Sequence, residues 1–243
     1  MDRSINEFFV SLFMLADKIK FAFSFFFVMV IFMSCKKNSQ NVQQDWYKSY
    51  YDTNEGRFIE YNVHEINHDE NAIIQHDTLN YFLRIQIEDT ISDNLGRVNR
   101  KYVRYKKMNS NDPWQISDVW MTIIDGTDAE LVEENQRIIK LKFPVNSFTK
   151  WNANIFNLDE NLDCFYENIH LGKSINGLYF DSTVTVNQGA TRNFLKFFKK
   201  YEVYANGIGM ISRYYKDLNI SNFDTLQIDS GRELYMEVIN FGN

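Results

Sequence analysis

Residues 64–68 read His-Glu-Ile-Asn-His and match the H-E-x-x-H pattern of zinc metalloproteases, in which two histidines bind zinc and the glutamate activates water. That chemistry requires a helix, where residues i and i+4 are neighbours and both histidines reach one ion. On a strand, the same two residues are about 13 Å apart, which is too far for two zinc bonds of about 2 Å each. The chemistry therefore depends on the backbone that carries His64 and His68.

The residues that lead into this stretch predict a strand. Ile59, Tyr61 and Val63 alternate with polar residues, and this period of two is typical of a strand with one buried face. Asn67 is a poor residue for a helix interior, and no glycine or third histidine follows at the metzincin spacing. We interpret the pattern as a chance match on a strand that runs into a polar turn. A metal-dependent hydrolase remains a minor alternative.

Two other short motifs also have simpler explanations. Residues 157–163 alternate Asn and Asp in the manner of a calcium loop, but they lack the glycine and the final glutamate of an EF-hand, so a solvated loop is favoured. Gly207 and Gly209 form a G-x-G after a strand, but no helix follows, which favours a hairpin or bulge over a phosphate cradle. We therefore predict no catalytic residue, no metal and no cofactor.

The N-terminal region has the pattern of a bacterial signal peptide. Lys18 and Lys20 precede the apolar run Phe21–Met33, which is short for a membrane-spanning helix. We predict a signal peptide at residues 1–34. The first 13 residues form an unusual extension, so Met14 is an alternative start.

The two cysteines of the chain are expected to have different roles. Ser34-Cys35 resembles a lipobox, in which the cysteine carries acyl chains such as palmitate, although Phe32 stands where leucine or isoleucine is usual. We predict lipidation of Cys35, with a plain signal peptide or an uncleaved anchor as the alternatives. Cys164 then has no partner for a disulfide, and we interpret it as a small buried hydrophobe rather than a nucleophile.

The remaining chain divides into a tether and one domain. Residues 35–48 comprise the lipidated cysteine and a polar tether, and residues 49–243 form a single β domain without internal repeats. Aromatic residues make up 16% of the chain, while it has only 2 prolines, and this composition favours sheet over helix. The net charge is -6 with no basic block in the body of the chain, so nucleic-acid binding is excluded.

Alternating segments and turn residues predict an all-β fold, an antiparallel meander curled into a barrel or half-barrel. Hairpin turns are expected at Asp125-Gly126, Glu134-Asn135, Asn176-Gly177 and Asn206-Gly207. At most one or two short helices are expected, around Ala190–Phe198 or Asn157–Leu162. Strands are predicted around residues 57–64, 79–88, 100–107, 119–124, 130–133, 137–143, 164–169, 179–186, 199–205, 209–218 and 234–239.

Several stretches between residues 50 and 218 carry a resemblance to a known family. They are GRFIEYNV (56–63), DPW (112–114) with SDVW (117–120), ENQRIIKLKFPV (134–145), WNAN (151–154) and YEVYANGIGMI (201–211). In order and spacing they resemble a family of uncharacterised Bacteroidota-type envelope lipoproteins, which has no assigned activity. The resemblance implies location and fold only. Lys36-Lys37 departs from the acidic stretch that favours export to the cell surface in such proteins, so the periplasmic side of the outer membrane is expected.

Four tripeptides resemble the O-glycosylation signal of Bacteroidota envelope proteins, Asp followed by Ser or Thr and then, in most cases, an apolar residue. The acceptor residues would be Thr78, Thr90, Ser182 and Thr225. Asp-Thr is also good turn chemistry at a strand boundary, which is the alternative explanation.

These observations lead to a non-catalytic, lipid-anchored periplasmic protein whose contact with the membrane is the lipid on Cys35. One hypothesis is that the curled sheet binds an apolar ligand or acyl chain in its concavity. The other is an accessory subunit that docks on a cell-envelope assembly. A ligand carrier predicts a deep apolar cavity of several hundred Å³, on the order of known ligand pockets, whereas a docking protein predicts a filled interior and an exposed apolar patch.

Overall fold

A computed structural model describes residues 47–243, and almost all of them belong to one antiparallel sheet. The predictions for the signal peptide, Cys35 and most of the tether lie outside the described residues. A short 3₁₀ turn, Lys48–Tyr50, precedes the strands. The strands are β1 (Phe58–Asp69), β2 (His76–Ser92), β3 (Val98–Lys107), β4 (Gln115–Asp125), β5 (Asp128–Glu133), β6 (Gln136–Lys142), β7 (Lys150–Asn152), β8 (Asp163–Ile175), β9 (Leu178–Arg192), β10 (Lys196–Ala205), β11 (Gly209–Ser221) and β12 (Asp224–Gly242).

The sheet curls until it is nearly closed into a barrel, which confirms the predicted fold class. Its strand order is β6-β5-β4-β3-β2-β1-β12-β11-β10-β9-β8-β7, so the first and last strands pair in the middle and β6 and β7 are the two edges. These edges meet along a seam. There, the Ile139 amide donates to the Ala153 carbonyl over 3.0 Å, and Nε1 of Trp151 donates to the Ile139 carbonyl over 3.0 Å.

The predicted hairpin turns are present. Two of them have positive φ at both central residues, as tight hairpins require: 49° and 64° at Glu134 and Asn135, and 50° and 80° at Asn176 and Gly177. The turns at residues 125–128 and 205–209 likewise join consecutive strands. Turn chemistry was therefore sufficient to locate four of the hairpins.

Neither of the two places considered for a short helix contains one, which agrees with the prediction of at most one or two. Strand β9 continues to Arg192 and β10 begins at Lys196, so residues 190–198 form a hairpin. Residues 157–162 form an irregular loop between β7 and β8, with bends at residues 157–159. Among residues 47–243 the helical structure is limited to the turn Lys48–Tyr50. Cross-strand pairing, which continues through Phe198 opposite Thr191, determined the outcome at the first place.

The core lies on the concave face of the sheet. On β1, Tyr61 and Val63 are buried while Asn62 between them is exposed, as alternation requires. Tyr50 and Tyr51 from the 3₁₀ turn region are also buried in this core. The segment that enters the barrel thus fills part of its interior.

Because the strands run alternately up and down, their turns fall at two ends of the barrel. The entry end holds residue 47 and the turns near Gly126 and Gly207, since Lys48 Nζ donates to the Gly126 carbonyl and the Gly207 amide donates to the Ser49 carbonyl. The other end, called here the crest end, holds the turns that follow β1, β3, β5, β9 and β11.

Gly231 on β12 offers a test of the sheet geometry. Its φ is +136°, and an added Cβ would collide with the Asp217 carbonyl oxygen and lie 2.8 Å from Cα of Leu218, both backbone atoms of β11. We expect Gly231→Ala to lower the free energy of unfolding by about 3 kcal/mol or more. Urea unfolding followed by tryptophan fluorescence measures this loss.

The matched control is Gly96→Ala, because Gly96 also has positive φ (+75°) but has open space around its Cβ position. The expected loss there is about 1 kcal/mol, from backbone strain alone. Equal losses for the two variants would contradict the close approach of β11 and β12 at Gly231.

Candidate functional site

The interior of the barrel is largely filled. The cavity within it has a volume of about 60 Å³ and is lined by aromatic, aliphatic and charged side chains, including Tyr61, Tyr102 and Trp120. This space admits a few water molecules, whereas pockets that bury a drug-sized ligand measure about 300–1,000 Å³. This inner cavity is therefore too small for an acyl chain.

A buried ion network occupies part of this interior. The carboxylate of Glu202 on β10 is fully buried, lies 2.6 Å from Nζ of Lys140 and 2.8 Å from Nε of Arg213, and accepts a hydrogen bond from Tyr204. Burial by itself raises the pKa of Glu202, but Lys140 and Arg213 outweigh burial and hold this pKa well below its usual range. Two cations thus surround one ionised carboxylate in the core.

Two features of the sheet bring these groups together. Glu202 and Arg213 are direct partners in the β10–β11 ladder, so their side chains share a face. Lys140 comes from edge strand β6 and reaches Glu202 across the interior. The sequence contained only a weak signal of this network, because Glu202 shares the inner face of its strand with the buried Tyr204.

The His-Glu-Ile-Asn-His stretch lies within β1, as predicted. His64 and His68 share one face at strand spacing and have separate partners: Nδ1 of His64 is 2.7 Å from Oδ1 of Asn80, and Nδ1 of His68 is 2.8 Å from Nδ1 of His76. Glu65 points to the other face, where Arg232 donates to it. The geometry therefore does not match a zinc protease. Among residues 47–243, no three His, Cys, Asp or Glu side chains are grouped so that they could hold a metal.

His68 forms a separate buried group at the crest end. Its Nε2 atom lies 3.3 Å from a carboxylate oxygen of Glu233, which also pairs with Lys216 over 2.7 Å. Burial lowers the pKa of His68, and the carboxylate of Glu233 partly offsets this effect. The group links β1, β2, β11 and β12 just below the β1–β2 turn.

The other motifs also have structural explanations. In the loop before β8, the side chain of Asn157 donates to the Arg137 carbonyl and that of Asn161 accepts from Asn152, so both amides hold the loop in place. Gly207 and Gly209 form the β10–β11 hairpin, as expected. Cys164 is buried, and burial, with a smaller contribution from Glu202, raises the pKa of its thiol to about 12. That thiol is poorly suited to act as a nucleophile.

The four candidate glycosylation residues have different surroundings. Thr78 and Thr90 on β2 are exposed, and Thr225 on β12 is half-buried. Ser182 on β9 is also half-buried, and its hydroxyl lies 2.7 Å from the hydroxyl of Tyr50. Thr78 and Thr90 are thus the more accessible acceptors.

Three neighbouring hairpin tips at the crest end expose large apolar side chains. Phe194 and Phe223 pack edge to face with ring centroids 4.8 Å apart, and the Phe223 amide donates to the Phe194 carbonyl over 3.2 Å. The β1–β2 tip joins them through the Glu70 amide, which donates to the Asp229 carbonyl over 2.9 Å. We call this surface the apolar crest; its members are Ile73, Ile74, Phe194, Leu195, Phe223 and Leu226, with exposed fractions of 48–105%.

A basin of about 320 Å³ opens beyond the inner cavity and is called here the barrel mouth. It includes Trp120 and Arg213, which also line the inner cavity, together with the aliphatic side chains of Leu234 and Met236. Its charged residues are Arg104, Arg213, Arg232, Glu133, Glu134 and Asp159.

In the part of the chain that the structure describes, no helix is long and apolar enough to cross a membrane. Comparison with models of known protein families and with curated proteins found no match to this chain. The resemblance to envelope lipoproteins therefore stays a prediction.

The buried network predicts a specific pH dependence. Replacing Glu202 by Gln removes the carboxylate that pairs with both Lys140 and Arg213, so we expect the free energy of unfolding at pH 7 to fall by about 3 kcal/mol or more. The pKa of Glu202 is lowered in the folded state, so its contribution is complete above the unfolded value of about 4.3 and is lost as pH falls below it. The difference between wild type and variant should therefore shrink from pH 5 towards pH 2 in urea unfolding.

Glu55→Gln is the control, because Glu55 pairs with Arg100 over 2.8 Å but is 57% exposed. The free energy of unfolding of Glu55→Gln should be lower than that of the wild type by less than about 1 kcal/mol. A Glu202→Gln protein as stable as this control at pH 7 would show that the network is not stabilising.

Proposed function

We propose that the protein is a non-catalytic, lipid-anchored protein of the periplasmic face of the outer membrane that docks on a protein of the cell envelope through its apolar crest. The observation that carries this proposal is the crest itself, because six large apolar side chains on three adjoining tips are exposed to water. Scattered single residues of this kind are normal, but a contiguous patch marks an interaction surface. The lipobox-like Ser34-Cys35 supports the anchor.

The filled interior favours docking over an apolar ligand. A carrier needs a deep apolar cavity, but the inner cavity is only about 60 Å³, and charged groups such as Lys140 and Arg213 form part of its lining. The adjoining mouth is also lined by charged groups. The strand geometry of His64 and His68 argues against the metal-dependent hydrolase. Docking is therefore the function that the geometry supports best.

The charges around the crest favour a protein partner over a lipid surface. The three tips, residues 69–77, 192–196 and 221–229, contain five carboxylates and two cations, and one of the cations, Lys196, already pairs with Asp217. An acidic frame of this kind repels anionic headgroups and attracts lysine and arginine. The expected partner surface is apolar and framed by basic residues.

The position of the crest suits this role. The described chain starts at the entry end, near Gly126 and Gly207, whereas the crest lies at the opposite end.

Site-specific cross-linking in the native cell tests the proposal. A photo-reactive amino acid at position 226, where Leu226 is 89% exposed, should form one discrete cross-linked product of higher mass. The same probe at position 148 is the control, because Phe148 is 91% exposed but lies outside the crest. Adding Phe194→Ser and Phe223→Ser should abolish the product at position 226, since loss of a central apolar anchor costs about 2 kcal/mol or more of binding.

Thermal unfolding of the double variant confirms that the barrel is intact. Equal cross-linking at positions 226 and 148, or a product that survives both serine substitutions in a folded protein, would contradict docking through the crest. A product that contains lipid rather than protein would also overturn the proposed class of partner.

A further inference from the structure

The barrel mouth contains opposite charges that do not pair with one another. Its arginines come from β3, β11 and β12, while its carboxylates come from the end of β5, the β5–β6 turn and the loop before β8. Within the described chain, no ion pair joins either set to the other, although both line one basin of about 320 Å³. A gap between opposite charges is therefore built into the mouth.

Each of the three arginines in the mouth forms an ion pair with a carboxylate that does not line the basin. Arg213 donates from Nε to Glu202 over 2.8 Å, and Arg232 donates from Nε to Glu65 over 2.8 Å. In the described residues, the terminal nitrogens of these two guanidinium groups have no hydrogen-bond partner. Since guanidinium carries five donors in a fixed fork, this arrangement leaves free donors on two residues that line the basin.

Arg104 is held in the same way. Its Nη1 atom donates to Asp118 over 3.0 Å, and its guanidinium carbon lies 4.4 Å from the centre of the Trp120 ring. The aromatic ring and the carboxylate together restrict the side chain. Preorganised donors of this kind bind a carboxylate or phosphate without losing further side-chain entropy.

The acidic side of the mouth is available as well. Glu133, Glu134 and Asp159 have no ion pair within the described part of the chain. Glu133 acts on Arg213 only through space, where its charge helps to raise the pKa of the arginine. The apolar side chains of Ile138, Leu234 and Met236 also line the basin.

From this geometry we propose that the barrel mouth binds a small zwitterion, with its anionic group at the arginines and its ammonium group at Glu133 and its acidic neighbours. An anion alone would leave the carboxylates unpaired, and a cation alone would leave the arginines unpaired. A ligand that carries both charges satisfies both sets at once. A basin of about 320 Å³ is at the lower end of the range for small-molecule pockets and fits a molecule of dipeptide size.

Two sources supply this chemistry: a free amino acid or short peptide, and the headgroup of an ethanolamine phospholipid. Isothermal titration of the full chain in detergent with leucyl-leucine and with glycerophosphoethanolamine separates them. Binding of the dipeptide alone assigns the peptide source, and binding of the headgroup alone assigns the lipid source. Binding of both supports the shared chemistry, while binding of neither overturns the proposal.

Blocked ligands and matched variants test the orientation. Arg232→Gln should weaken binding of the zwitterion about tenfold, the size expected for one charge-assisted hydrogen bond. It should not change the affinity for the dipeptide methyl ester, which lacks the carboxylate. Glu133→Gln should likewise weaken binding of the zwitterion and leave the affinity for N-acetylated dipeptide unchanged.

Arg232 is suited to this test because its side chain is 49% exposed and its substitution leaves the buried network intact. Arg100→Gln, at an exposed pair away from the mouth, is the control and should bind as wild type does. If either mouth variant lost the same affinity for the zwitterion and for its blocked ligand, the arginines and the carboxylates would not be binding the two opposite ends of the ligand. That result would overturn the proposal. These outcomes are independent of docking through the crest.

Discussion

The pairing of the first and last strands is the constraint on which the rest of the structure depends. Strands β1 and β12 run antiparallel from the pair Phe58–Gly242 to the pair Asp69–Ser230. Without this pairing, both strands would present long rows of unsatisfied backbone groups. Because of this pairing, the edge strands of the sheet are β6 and β7, which are short. They meet at a seam, where Nε1 of Trp151 donates to the Ile139 carbonyl. A linear meander thereby becomes a nearly closed barrel.

Closure brings Lys140 and Arg213, which are distant in sequence, to one carboxylate. Lys140 lies on an edge strand beside the seam, and its contact with Glu202 ties that edge to β10 on the other side of the interior. Desolvation of three charges is costly, and it is tolerated because Lys140, Arg213 and Tyr204 all contact the same group. The network leaves little space for a ligand within the barrel. The crest and the mouth are therefore the two surfaces through which we propose contacts with other molecules.

Much of the fold followed from the sequence. Alternation at Ile59, Tyr61 and Val63 indicated β1, and Asn176-Gly177 indicated a tight hairpin, because both are local signals with a direct steric cause. The stretch at residues 190–198 was one of two places where a short helix was considered, but it forms a hairpin. Pairing with β9 and β11 determined its conformation. The same stretch contains Phe194 and Leu195. Two large apolar residues in a hairpin turn, where polar residues are usual, are a signal of the crest.

The sequence by itself determined the fold class, most of the strands, the tight turns and the exclusion of His64 and His68 as one zinc site. All of these depend on residues near one another in the chain, whose backbone preferences act locally. Only the tertiary structure decided that the interior is filled, that three hairpin tips join into one crest, and that Arg213 and Glu133 line the same mouth. These features depend on which strands become neighbours when the barrel closes, and residues far apart in sequence carry no local pattern that specifies such contacts.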